Sequence, residues 1–81
     1  MMPLAKPWRT LDRETVARAP QRYGIYELGD EEGTVVAVES GVLKRDIKSA
    51  LAYADASKVR WEETGTEARA DELAAEHRER L

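Results

Sequence analysis

The sequence predicts a small α+β domain in which three antiparallel strands form a sheet and helices flank it. Residues 23–28 and 34–39 have the β-branched and aromatic content of strands, and they surround a short glycine-bearing turn. Two later stretches repeat apolar residues at helical spacing. The predicted order is α-β-β-α-β-α, and the 81 residues favour a single domain over 1–81.

The first part of the chain predicts an extended segment followed by a short helix. Two prolines restrict residues 1–7 to extended conformations. Either Thr10 or Asp12 can serve as the N-cap of a helix that ends before Pro20. The inward side of this helix is then formed by Leu11, Val16 and Ala19.

The middle of the chain predicts a β-hairpin and, later, a third strand. The hairpin strands are expected near 24–28 and 34–39, with Ser40 and Gly41 ending the second strand. Residues 58–62 alternate polar and apolar side chains, which is typical of a strand with one face buried, and this strand is expected near 58–63. Val59 and Trp61 would be the inward residues of this strand.

Two longer helices are expected near 43–54 and 66–80. Thr64 and Glu67 have the spacing of a capping box, which favours a helix start at that point. His77 lies on the apolar stripe of the last helix, so we interpret it as a packing residue. The stripes predict one shared core that contains Leu43, Ile47, Leu51, Trp61 and Leu73.

The amino-acid composition limits the classes of function that the protein can have. The absence of cysteine excludes disulfides and thiolate sites, and no apolar run or signal peptide points to a membrane, so we expect a soluble cytoplasmic protein. Nine arginines against four lysines, with a net charge of −3, fit a high-GC or halophilic source. An acidic domain repels nucleic-acid phosphates, so binding to DNA or RNA would need a local basic patch.

A resemblance to the GIY-YIG nuclease domain rests on Gly24-Ile25-Tyr26 and on the order of elements around it. A short acidic turn, a valine-rich strand, a helix, a further strand and a closing helix follow the Gly-Ile-Tyr strand. The likeness covers Trp8 to Leu81. It implies the GIY-YIG fold and, where the site is intact, metal-dependent cleavage of nucleic acid.

The second signature of that family is largely missing here. When the two sequences are anchored on Ser40-Gly41, Ala37 stands at the tyrosine and Glu39 at the glycine. The resemblance implies that this tyrosine helps to activate or position water, and alanine has no hydroxyl for that role. The family's helix arginine, which stabilises phosphate charge, corresponds to Asp46.

The metal-binding glutamate of the family falls on Ala70 in the preferred register. A register slipped by two residues would place Glu72 there instead. Tyr26 and Glu72 are therefore vestigial catalytic candidates. We expect no metal site and no cofactor.

The sequence leads to three hypotheses of function. The favoured one is a catalytically inactive GIY-YIG-like interaction or structural module that binds an unknown protein or forms a homodimer. The alternative is a nucleic-acid-binding domain that uses Lys44, Arg45 and Lys48, which share one face of a predicted helix. The third is a weak metal-dependent nuclease.

Overall fold

The computed structural model describes residues 6–80 and confirms the α+β class, with helices on both faces of an antiparallel sheet. The sheet has four strands in the order β1-β4-β2-β3. The elements are β1 (Arg9–Thr10), α1 (Arg13–Arg18), β2 (Tyr23–Gly29), β3 (Val35–Val42), α2 (Leu43–Tyr53), β4 (Lys58–Glu63) and α3 (Glu67–Arg78).

The predicted hairpin is present as the antiparallel pair β2 and β3. Tyr26 lies opposite Glu39, and a register irregularity follows Leu28. The expectation that Ser40 and Gly41 end the second strand is wrong, because β3 continues through them to Val42. Gly41 remains paired with Gly24 at a backbone φ of +155°.

The expectation of three strands misses β1, which adds a fourth strand at the edge of the sheet. β1 contains only Arg9 and Thr10, which pair with Val59 and Lys58 of β4. Two residues are too few to show a periodic pattern, so this strand is not predictable from hydrophobic periodicity. Residues 1–5 of the predicted extended segment, like Leu81, lie outside the described part of the chain.

Side-chain N-caps set the starts of α1 and α3. The sequence left the cap of α1 open between Thr10 and Asp12 and predicted Thr64 as the cap of α3. Asp12, and not Thr10, is the N-cap of α1, and its Oδ1 accepts a hydrogen bond of 2.8 Å from the Thr15 amide. The predicted capping box at Thr64 is wrong. Thr66 is the N-cap of α3 and accepts from the Arg69 amide, whereas the Thr64 hydroxyl donates to the Thr66 carbonyl.

The sheet separates two hydrophobic cores. The larger lies between the sheet and α1 with α2, and the smaller lies between the sheet and α3. Leu11, Ala19, Val59 and the partly buried Trp61 pack in the larger core, as predicted.

The prediction of one shared core is wrong for Leu73, which packs on the α3 side. Helical periodicity shows which stripe faces inward but not which face of the sheet it covers. The larger core contains buried Leu11, Ala19, Tyr26, Leu28, Leu43, Ile47, Ala50 and Val59, and the smaller contains Ile25, Val38, Ala70 and Ala74.

Within residues 6–80, none of the helices has the length and apolar character needed to cross a bilayer.

Candidate functional site

Tyr26, the tyrosine of the Gly-Ile-Tyr strand, is a core residue. Its side chain is 7% exposed and packs in the larger core with Leu43 and Ile47. Burial, together with the nearby carboxylates of Asp46 and Glu39, raises the pKa of the Tyr26 hydroxyl to about 12, while Arg78 acts in the opposite direction. The hydroxyl therefore stays protonated throughout the neutral range.

Asp46 occupies the position where the resemblance implies an arginine. It lies in the first turn of α2, and its carboxylate fills the space that a β-carbon at Gly41 would need. Arg45 Nε donates to Asp46 Oδ1 at 2.9 Å. A glycine at position 41 therefore permits the Asp46 side chain to pack against the end of β3.

Glu39 projects from β3 on the same face as Tyr26 and is bound by an arginine from α3. Arg78 lies on the other face of the sheet and reaches around its β3 edge. Its Nε donates to the Val38 carbonyl at 2.8 Å, and its Nη2 donates to Glu39 Oε2 at 3.1 Å. Arg78 thus satisfies one carbonyl of the edge strand and one carboxylate beside Tyr26.

The two vestigial catalytic candidates do not lie together. Tyr26 packs on the face covered by α2, whereas Glu72 lies on α3, which covers the opposite face. Glu72 is exposed and pairs with Arg69 at 3.4 Å. Ala70 is fully buried against the sheet. Across residues 6–80, no group of three His, Asp or Glu side chains is arranged to share a metal ion.

The three cations of the predicted basic face have different environments. Lys44 Nζ donates to the Ala17 carbonyl near the end of α1 at 2.9 Å. Arg45 pairs with Asp46, and this carboxylate raises the pKa of the guanidinium. Lys48 is exposed and points to a groove between the helices.

That groove, which we call the α1–α2 groove, has a volume of about 460 Å³. It is lined by Arg13, Val16, Lys48, Leu51 and Ala52. Val16 and Leu51 are partly buried and pack on the larger core, so the floor is apolar and continuous with the interior. Arg13 and Lys48 place one cation on each helix that lines it.

Sequence reasoning missed a buried polar cluster on the α3 side of the sheet. Glu27 is fully buried, and its Oε1 accepts from Arg60 Nε at 2.6 Å. Its Oε2 lies 3.3 Å from His77 Nδ1. The Arg60 guanidinium also stacks on the Trp8 ring at 3.9 Å. His77 therefore packs as predicted, and it contacts a carboxylate as well.

Comparison with known proteins gives a match to one family description. The model of a family described as a domain of unknown function, DUF7508, matches residues 2–80. No curated protein and no solved structure matches the chain.

Proposed function

Because the chain belongs to the DUF7508 family, a domain family of unknown function, we propose a function from its own residues: a non-catalytic protein-interaction module with a GIY-YIG-like fold. The order of elements after β1 supports this likeness. Gly24, the glycine of the Gly-Ile-Tyr strand, has a steric role, because a β-carbon there would collide with the Glu62 carbonyl and with Leu43. Packing alone therefore requires glycine at this position.

The observation that carries the non-catalytic proposal is the burial of Tyr26, which is 7% exposed in the larger core. Burial, with smaller effects from the carboxylates of Asp46 and Glu39, raises the pKa of its hydroxyl to about 12, against the opposing effect of Arg78. Hydrolysis of a phosphodiester needs positive charge where charge develops in the transition state. Here the nearby guanidinium groups of Arg78 and Arg45 are already bound to Glu39 and Asp46, and a buried neutral phenol cannot serve as a base.

The interaction role is supported by the α1–α2 groove. Its volume lies in the range of about 300–1,000 Å³ that ligand sites occupy. Its floor is apolar, and a phosphate backbone offers little that would fill such a surface. A protein segment can supply apolar side chains that pack on this floor.

The alternative, nucleic-acid binding through Lys44, Arg45 and Lys48, has weaker support. Lys44 and Arg45 already bind the Ala17 carbonyl and Asp46. Three phosphate contacts would give only micromolar or weaker affinity, with a salt slope of roughly −2 to −3. We expect negligible DNA binding at about 0.15 M salt.

A cleavage assay tests the non-catalytic proposal. Wild type is incubated with plasmid, single-stranded and branched DNA in the presence of Mg²⁺ or Mn²⁺, beside Glu72→Ala and Tyr26→Phe variants. No cleavage is expected from any of them. Metal-dependent cutting by wild type that disappears in Glu72→Ala would overturn the proposal in favour of a nuclease.

Fluorescence anisotropy with labelled DNA tests the alternative. Wild type is compared with a Lys44→Glu, Arg45→Glu, Lys48→Glu triple variant. Equal and near-zero binding by both proteins supports the interaction module. Low-micromolar binding by wild type that the triple variant loses would favour the nucleic-acid-binding domain.

A further inference from the structure

The α1–α2 groove is built by one face of each helix. Arg13 and Val16 are three residues apart on α1, and Lys48 lies three residues before Leu51 and four before Ala52 on α2. Residues at these spacings share a helix face. Hydrogen bonds from the backbone amide of Lys44 to Pro20 and from its Nζ to Ala17 join the start of α2 to the end of α1. These bonds fix the two helices relative to each other, so the groove is preformed.

The charges beside the groove are uncompensated. Among residues 6–80, neither Arg13 nor Lys48 forms an ion pair, whereas Arg18 pairs with Glu14 and Arg45 with Asp46. The chain as a whole carries a net charge of −3. The groove thus combines an apolar floor with a local excess of positive charge, in a protein whose net charge is negative. A ligand that complements the groove carries negative charge.

We propose that the α1–α2 groove binds an acidic amphipathic segment of another protein. Apolar side chains of that segment enter the groove over Val16, Leu51 and Ala52. Its flanking carboxylates pair with Arg13 on α1 and Lys48 on α2. This inference rests on the proposed function, since it names the kind of partner that the interaction module takes.

The exposure of the lining residues determines what the charged contacts and the apolar contacts each contribute to binding. Arg13 and Lys48 are exposed, so their ion pairs contribute mainly orientation, association rate and discrimination by charge sign. Affinity comes from the apolar side chains that leave water on entering the groove. A groove of this size therefore supports a weak, reversible contact in the micromolar range.

A peptide titration tests the partner class. One fluorescent synthetic peptide has two leucines a helical turn apart and flanking glutamates, and a second has lysines in place of the glutamates. The glutamate peptide is expected to bind wild type at least about tenfold more tightly than the lysine peptide. Equal affinities, or no binding of the glutamate peptide, would overturn the proposal.

Two pairs of variants locate the site. Ala52→Gln fills the groove, and Ser49→Gln adds the same side chain at an exposed position of α2 that does not line it. Arg13→Glu with Lys48→Glu reverses the flanking charges, and Arg69→Glu with Arg80→Glu makes the same charge change on and beyond α3. Only Ala52→Gln and the first double variant should weaken binding, by about tenfold or more.

The remaining outcomes are also decisive. Unchanged binding in Ala52→Gln would show that the peptide binds elsewhere and would overturn the proposal. Sedimentation equilibrium that shows a wild-type dimer, lost in Ala52→Gln, would identify a second copy as the occupant and overturn it as well. Neither result affects the cleavage assay, so failure of this inference is distinguishable from failure of the proposed function.

Discussion

The Glu27 carboxylate is buried in the interior of the protein, and two partners offset the free-energy cost of its burial. Arg60 and His77 each contact one of its oxygens, at 2.6 Å and 3.3 Å. A buried carboxylate without partners loses far more hydration energy than packing can return. The three residues therefore act as a unit that joins β2, β4 and α3.

Replacing Glu27 with glutamine is expected to lower the free energy of unfolding by about 3 kcal/mol. The substitution keeps the shape of the side chain but leaves the Arg60 charge without its anionic partner. Urea denaturation of Glu27→Gln and wild type measures the difference. Glu76→Gln, at an exposed position of α3, is the control, and an equal effect in both variants would contradict the structural role of Glu27.

Tyr26 is expected to make stability sensitive to alkaline pH. Its pKa is about 12 in the folded protein, above the value of 10.0 that it would have when unfolded, so the folded state retains the proton more strongly. This contribution to stability is complete below pH 10 and is lost as the pH rises towards 12. Denaturation curves across this range should show a smaller alkaline loss for Tyr26→Phe than for wild type.

The control for this measurement is Tyr53→Phe, because Tyr53 is 90% exposed. Phenolate absorbance should show a titration step near pH 12 in wild type and in Tyr53→Phe but not in Tyr26→Phe. A Tyr26→Phe variant that keeps both this step and the wild-type alkaline loss would show that Tyr26 is not its source.

Single residues show clearly what the sequence could not reveal. Glu27 follows Tyr26 in a strand that helices cover on both faces, so alternation of polar and apolar residues gives no warning that a charge is buried. Its partners are 33 and 50 residues away along the chain. The packing role of His77 was predictable because it depends only on the local stripe.

At the scale of elements, β-branched and aromatic content located β2 and β3, and hydrophobic periodicity located β4, α2 and α3. Side-chain caps decided where α1 and α3 begin. The spacing between Thr64 and Glu67 predicts a cap at Thr64, whereas the cap of α3 is Thr66, two residues later. The α1–α2 groove depends on how two helices lie against each other. Only Lys48 of its five lining residues had been singled out as a candidate binding residue.

Removing the cap of α3 is expected to destabilise the protein. Thr66→Ala should lower the free energy of unfolding by about 1 kcal/mol, because the Arg69 amide loses its acceptor. Thr66→Asp should retain most of the wild-type stability, since its carboxylate can accept the same hydrogen bond. Thermal denaturation of the two variants provides the test, and identical losses would argue against the capping role.

At the scale of the whole molecule, the segment before β1 connects the sheet edge to the buried cluster. Trp8 stacks on Arg60, and its ring lies over Gly29 and Gly33, where the absence of side chains makes room for it. Arg60 in turn holds Glu27. Trp8, near the start of the described part of the chain, thereby covers a cluster that β2, β4 and α3 form together.

Trp8→Ala is expected to destabilise the fold by about 2 kcal/mol, through loss of apolar contact and of the cation–π interaction with Arg60. Tyr53→Ala also removes an aromatic ring, but from an exposed position, and should change stability by less than about 0.5 kcal/mol. Urea denaturation compares the two. A Trp8→Ala variant as stable as Tyr53→Ala would show that the stacking contributes nothing.

The unequal cores on the two faces of the sheet have a consequence for how the protein opens. α3 is held by the buried Ala70 and Ala74, the partly buried Leu73 and the polar contacts of His77 and Arg78, whereas α2 fully buries the larger side chains of Leu43 and Ile47. Less apolar surface secures α3, so its amides should exchange with deuterium through a partial opening that leaves α2 and the β2–β4 pairing intact. Amide-resolved hydrogen exchange would then reveal two cooperative units in a chain of 81 residues, with Glu27 transiently exposed to water each time the less stable unit opens.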